Sequence, residues 1–167
     1  MKEELVFHER QRFNQWWFLL IFISINSLFI AGCIIQLGMG KPWGDKPMSD
    51  TMLIIFTISS ILFSVSFFFI RLDTVIDNDG VYEQMFPLQL KFKFTPWNNI
   101  LNTRVKKMRF SGWGIRYDAG GEVMYTIFGK YVLELTLNNN KKISIGTQKP
   151  DELMEFLDKL DAERKQK

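Results

Sequence analysis

The sequence predicts a two-helix transmembrane hairpin followed by an α+β domain, with about seven antiparallel strands in a partly open barrel capped by a C-terminal helix. Three observations predict this. Between Arg12 and Arg71 only Lys41, Asp45, Lys46 and Asp50 are charged, so the first half of the chain is lipid-soluble. After Arg71 the apolar period changes from helical to two, punctuated by Gly, Asn and Asp. After Pro150 it returns to helical.

The first span is Trp16 to Leu37 (WWFLLIFISINSLFIAGCIIQL), and at about 1.5 Å of rise per residue roughly 20 such residues cross the hydrocarbon core. The second, Thr51 to Ile70, is again uncharged and follows a loop rich in turn residues, GMGKPWGDKPMSD. Residues 1–72 therefore read as a membrane anchor with spans at about 14–37 and 51–70. Two such runs without a polar face find nothing to bury them in a soluble chain this short. Trp16 and Trp17 sit where an interfacial aromatic belt belongs, and Trp43 lies in the loop at the other face.

Two spans put both termini on one side. Lys2, Arg10, Arg12, Arg71 and Lys91 flank the spans there, against Lys41 and Lys46 in the loop, which places both termini in the cytoplasm and the protein in the cell (inner) membrane. A competing reading is a lipoprotein signal, Ile30-Ala31-Gly32-Cys33. It is disfavoured because the apolar run continues through Ile34, Ile35 and Leu37 and because the leading segment KEELVFHERQR carries as many acids as bases. Ser24, Ser27 and Ala31 in the first span, and Thr57, Ser60 and Ser64 in the second, form small-residue stripes expected to face each other in a tight hairpin.

Residues 73–167 read as the soluble domain. Thr74–Asp77 and Val81–Phe86 are strands joined by Asn78-Asp79-Gly80, where the Asp-Gly pair is expected to supply a positive φ. Leu90-Lys91-Phe92-Lys93-Phe94 alternates strictly, which points Leu90, Phe92 and Phe94 one way and Lys91 and Lys93 the other. Ile100–Phe110, Val123–Phe128, Tyr131–Leu137 and Lys142–Ile145 complete the strand set. Pro150, Asp151 and Glu152 then open an amphipathic helix to about residue 163, with Leu153, Phe156, Leu157 and Leu160 on one face.

Four segments carry a family resemblance over Asp73 to Leu160. These are Asn78-Asp79-Gly80-Val81, Thr95-Pro96-Trp97-Asn98-Asn99-Ile100, Gly112-Trp113-Gly114-Ile115-Arg116, and Lys142-Ile143-Ser144-Ile145-Gly146-Thr147-Gln148 before the helix. In order and spacing they resemble the bacterial pleckstrin-homology-like (PH-like) domains that follow paired transmembrane helices. The resemblance implies a binding scaffold, whose ligand the fold does not name. Phosphoinositide recognition in such folds uses basic residues in the first strand-to-strand loop, and here that loop, Asn78-Asp79-Gly80, is acidic.

No catalytic constellation stands out. The only cysteine is Cys33 and the only histidine is His8, no Gly-x-Ser-x-Gly, Walker or Rossmann loop occurs, and Asp77, Asp79 and Glu83 lack the calcium-loop spacing. The expectation is a non-enzyme without cofactor or metal. The concentrated feature is positive charge: from Arg71 to Lys149 there are 12 Lys and Arg against 7 Asp and Glu. Lys91, Lys93, Arg104, Lys106, Lys107, Arg109 and Arg116 are the candidate site, either as a solvated face or as a surface for anionic lipid headgroups or a protein partner. Nucleic acid is not expected, because aromatic platforms do not interleave with these bases. Oligomerisation is left open. The rival reading is a structural or assembly subunit of a membrane complex, recognised through the hairpin.

Overall fold

The computed structural model of the chain describes residues 5–13, 15–108, 112–118 and 120–165. It divides into two compact units, one of them helical and lying within 14–69, the other combining the segment up to Phe13 with everything from Ile70 onward.

The helical unit holds α1 (Trp16–Cys33), which continues as a π-helical turn (Ile34–Gly38), and α2 (Asp50–Phe67), capped by the Ser49 hydroxyl accepting from the Met52 N–H. Both are long and apolar enough to cross a membrane. They pack through Phe22 on Phe67 (5.0 Å between centroids), Asn26 Nδ2 donating to Ser64 Oγ (2.8 Å) and Cys33 Sγ against Thr57 Oγ1 (3.2 Å). Thr57 and Ser64 of the expected stripe therefore face α1. Ser24 and Ser27 do not face α2: both are exposed, and the α1 face that meets α2 is Phe22, Asn26, Phe29 and Cys33. The reason is that ring packing and one interhelical amide bond outweigh the close approach that small residues would permit.

Among the described residues the second unit contains nine strands in two sheets. The first sheet has the order β1 (Phe7–Arg12), β2 (Arg71–Ile76), β3 (Gly80–Phe86), β4 (Lys93–Pro96), all antiparallel. The second runs β5 (Ile100–Lys107), β8 (Tyr131–Leu137), β9 (Lys142–Thr147), β7 (Val123–Thr126), β6 (Gly114–Tyr117). Helix α3 (Pro150–Lys165) follows. Apolar side chains of both sheets, Leu72, Val81, Met85, Tyr125, Leu133 and Ile145 among them, share one core with Leu153, Leu157 and Leu160 of α3.

Four expectations are corrected here. First, the domain does not begin at residue 73. Residues Phe7–Arg12 pair with Arg71–Ile76, so along the chain the helical hairpin is an insertion between two neighbouring strands. Second, among the described residues no strand ladder joins one sheet to the other, so two sheets stand in place of a partly open barrel of seven strands. Third, the pairing is not wholly antiparallel, because β9 lies between β7 and β8 and runs parallel to β7. Gly129 makes that crossing at φ +145°, where a Cβ would sit 3.2 Å from the Thr147 carbonyl oxygen. Fourth, β4 starts only at Lys93; Leu90 and Phe92 lie in the preceding turn, exposed, and Phe94 stacks on Tyr82 (4.5 Å) on the outer face. A slip of one residue exchanges the two faces of a strand, and here it puts Lys93 and Thr95 where Leu90 and Phe94 were expected.

The Asp77–Gly80 turn also closes differently. Asp77 Oδ1 accepts from the Asp79 N–H (2.9 Å) and the Gly80 N–H (3.0 Å), and Gly80 does not adopt a positive φ. Glycine is needed there for space: a Cβ would fall 2.8 Å from the Pro96 Cα and closer still to the Thr95 carbonyl oxygen. Gly80→Ala is thus expected to lower stability by about 1 to 3 kcal/mol, read by thermal melting of the solubilised protein. Leu160→Ala, at a position fully buried in the core, should cost about 2 to 5 kcal/mol in the same assay, and an unchanged melting temperature would mean that α3 is not packed.

Candidate functional site

Strand direction sorts the loops of the two-sheet unit into two ends. Arg12, Arg71 and Phe86 stand in one cross-strand row, so the chain leaves β1 and re-enters β2 beside the β3–β4 turn. The second sheet is aligned the same way: Phe13 meets Trp113 edge-on (5.6 Å), and Gln11 Nε2 donates to the Gly146 carbonyl (2.6 Å). The β5–β6 and β7–β8 connections therefore lie at this end too. At the opposite end Asn138 Nδ2 donates to the Asn98 carbonyl (2.8 Å) and the Trp97 N–H to the Asp79 carbonyl (3.2 Å).

The strand loops at the two ends differ in chemistry, whereas α3 runs the other way, with Asp151 and Glu152 just beyond Thr147 at the first end and Arg164 over the Trp97 ring (4.7 Å) at the second. Segments 86–93, 107–114 and 127–131 contain Lys91, Lys93, Lys107, Arg109 and Lys130 and no Asp or Glu. They also expose Leu88, Leu90, Phe92, Trp113, Phe128 and Tyr131. The opposite loops carry Asp77, Asp79, Asp118 and Glu122, otherwise mostly Asn and Gly, with Lys141 as their only base. We call the basic, apolar end the rim. Arg10 and Arg71 adjoin it, but both are engaged with the buried Asp73 carboxylate, Arg10 Nε at 2.5 Å and Arg71 Nε at 3.0 Å.

The seven candidate bases are not brought together. Lys91 and Lys107 are exposed at the rim. Lys93 starts there, but its ammonium lies 3.5 Å from the Tyr125 hydroxyl and 5.8 Å from the centre of that ring. Arg104 and Lys106 project from the other face of β5, in line with Glu134 of β8. Burial opposes ionisation of Glu134, yet the Lys106 ammonium bonded to it and Lys142 beside it outweigh that, and the carboxyl titrates below its ordinary value. Lys106 is therefore spent in an ion pair. Arg116 is half-buried over Gly112 and donates from Nη2 to Thr126 Oγ1 (3.2 Å), a loop-supporting role. Arg109 lies outside the described residues. Lys130 is exposed at the rim as well, and charge density along one stretch of sequence does not reveal it because it joins from a separate loop.

A second polar feature was not anticipated. Glu9, Thr74, Glu83 and Lys93 form one row across β1 to β4 on the core-facing side. Glu9 is satisfied, accepting from Thr147 Oγ1 (2.7 Å), the Gln148 N–H (2.7 Å) and Gln11 Nε2 (3.0 Å). Glu83 is fully buried, and neither carboxyl oxygen has a hydrogen-bond partner among the described residues. Burial pushes its pKa up to about 8, an effect that nearby Lys93 partly offsets. Among the described residues no group of three or more His, Cys, Asp or Glu is placed to hold a metal ion.

The chain thus falls in the class of proteins in which two helices able to span a bilayer interrupt a two-sheet α+β domain. It belongs to the DUF6141 family, a family of unknown function, and the match covers residues 1–160. No curated protein matches the sequence.

Proposed function

We propose that this protein is a non-enzymatic, membrane-anchored binding module that holds its rim against anionic lipid headgroups on the cytoplasmic face of the cell membrane. The observation that carries the reading is the segregation of charge among the strand loops of the sheet unit, with the basic loops at the end where the chain leaves for α1 and returns from α2. Only residues 13–15 and 68–70 connect helices to strands, so if α1 and α2 cross the bilayer, a tether of three residues keeps the rim at its surface. Each base near an anionic surface contributes about 1 kcal/mol at most, screened within roughly 8 to 10 Å at physiological salt. Three or four such bases bind weakly alone, and tethering turns weak binding into lasting contact through effective concentration.

The sheet unit is proposed to be a PH-like variant. Support comes from the order of its elements and from a C-terminal helix packed into the core between two sheets; the parallel β7–β9 pair is a departure. The acidic Asp77–Gly80 turn lies at the end away from the rim, which argues for diffuse charge attraction over a phosphoinositide pocket in that loop. The rival role of the hairpin as recognition element has less support, since Asn26, Ser64, Cys33 and Thr57 bond within the hairpin itself.

Lysine acylation of the full chain in nanodiscs, read by mass spectrometry, tests this. In phosphatidylglycerol discs at low salt Lys91, Lys107 and Lys130 should react several-fold more slowly than in phosphatidylcholine discs and recover at high salt, with Lys141 and Lys159 unchanged. Equal rates in both lipids would leave the rim as a solvated end.

A further inference from the structure

The turn between β3 and β4 is unusual for a strand connection that faces water. Such connections are normally built from Asn, Asp, Gly and Ser, and the opposite end of this molecule follows that rule with Asn78-Asp79-Gly80 and Asn138-Asn139-Asn140. Residues 87–92 read Pro-Leu-Gln-Leu-Lys-Phe instead. Leu88 is 61% exposed, Leu90 76% and Phe92 48%. One exposed leucine needs no explanation, but three large apolar side chains within five residues, with Lys91 among them, Lys93 next and no acid nearby in sequence, do.

The turn is held in this presentation from inside. The Gln89 N–H donates to the Met85 carbonyl (2.7 Å), Gln89 Oε1 accepts from the Met85 N–H (3.2 Å), and the Gln89 carbonyl accepts from Gln84 Nε2 (3.3 Å). The Gln89 amide also reaches the Tyr125 hydroxyl at 3.5 Å. With Gln89 pinned toward the sheets, its neighbours Leu88 and Leu90 are left on the outside. On adjacent rim loops Phe128 is likewise exposed and Trp113 stands half-exposed against Phe13.

We propose that this turn is an interfacial wedge, in which Leu88, Leu90 and Phe92 enter the headgroup and acyl boundary of the same bilayer that α1 and α2 cross, while the Lys91 ammonium reaches back to lipid phosphates. Apolar side chains beside lysines are the composition that such a boundary selects, because the lysine stem stays in the apolar layer and its charge in the headgroups. The occupant is lipid and not a protein groove, since the turn emerges in the cross-strand row from which the chain departs toward α1. The inference rests on the proposed membrane orientation of the rim and adds depth to it: charge alone would leave these side chains in water.

The test uses the full chain carrying Cys33→Ser, which puts a hydroxyl where the thiol meets Thr57, with an environment-sensitive fluorophore on Leu90→Cys, on Leu88→Cys, or on Asn139→Cys at the opposite end. In phosphatidylglycerol nanodiscs the Leu88 and Leu90 labels should show blue-shifted emission. Shallow lipid-borne nitroxides should quench them several-fold more than aqueous iodide does, and the Asn139 label should show the reverse. Insertion in phosphatidylcholine discs as well would support the wedge while removing the charge-driven reading. Water-like emission from both Leu88 and Leu90 labels in both lipids overturns the wedge even if the lysine footprint persists, and would leave the turn as a docking surface for protein.

Discussion

Deleting residues 1–12 is expected to unfold the sheet unit, although these residues precede the first span and lie far in sequence from the rest of the sheet. The deletion removes a whole strand from the edge of β2, the buried Phe7 ring that packs on Phe156 (5.7 Å), and the buried Glu9 carboxylate that three donors share. Glu9→Ala alone leaves the Thr147 hydroxyl, the Gln148 N–H and the Gln11 amide without their acceptor. Donors bonded to a buried carboxylate are worth about 1.5 to 3 kcal/mol each, and with partial rehydration the substitution should cost about 3 to 5 kcal/mol. Against a total stability of about 5 to 15 kcal/mol the deletion should leave no cooperative transition. Limited proteolysis of the solubilised protein reads this directly: rapid cleavage within 73–160 is expected, and a fragment as resistant as the parent's would mean that β1 is dispensable.

Glu83 should give the largest pH effect. Its pKa in the folded protein is about 8, above the 4.5 of an ordinary glutamate, so between those values the folded state holds a proton that the unfolded state has released. Its contribution to stability is complete below about pH 4.5 and is lost as pH rises toward 8. At 1.36 kcal/mol per pH unit the loss amounts to as much as about 5 kcal/mol. Glu83→Gln keeps the shape, cannot ionise, and should melt higher than the parent at pH 8 while matching it near pH 5. A parallel pH dependence in the two proteins would show that the Glu83 carboxyl is ionised and accommodated in the core.

Much of this architecture was legible in the sequence for physical reasons that also mark where legibility stopped. The two apolar helices, the central strands and α3 are visible because burial imposes apolar residues at the period of each element. β1 is invisible to that argument. Its inward positions are Phe7, Glu9 and Gln11 and its outward ones His8, Arg10 and Arg12, so a buried face made of carboxylate and amide reads as a charged leader. The Leu90–Phe94 alternation misled in the opposite sense, because a pattern set by an apolar turn is indistinguishable from one set by a core. Neighbour order is not encoded in periodicity either, which is why the insertion of β9 between β7 and β8 could not be read. For the site, Lys91 and Lys107 were found by charge density alone. Density did not reveal that Lys106 faces Glu134, that Arg116 braces a loop, or that Lys130, far along the chain, joins the rim.

The central claim is that the rim of basic and apolar strand loops faces the bilayer and the end with the acidic strand loops points away. Energy transfer from a donor on the full chain to acceptor lipids in phosphatidylglycerol nanodiscs measures this as a height. Strands of about seven residues at roughly 3.3 Å each separate the two ends by about 23 Å. A donor at Leu90→Cys, in the Cys33→Ser background, should therefore transfer strongly, and one at Asn139→Cys weakly, as befits a position more than 20 Å farther from the headgroup plane. Equal transfer from the two positions, or stronger transfer from Asn139, would contradict the account.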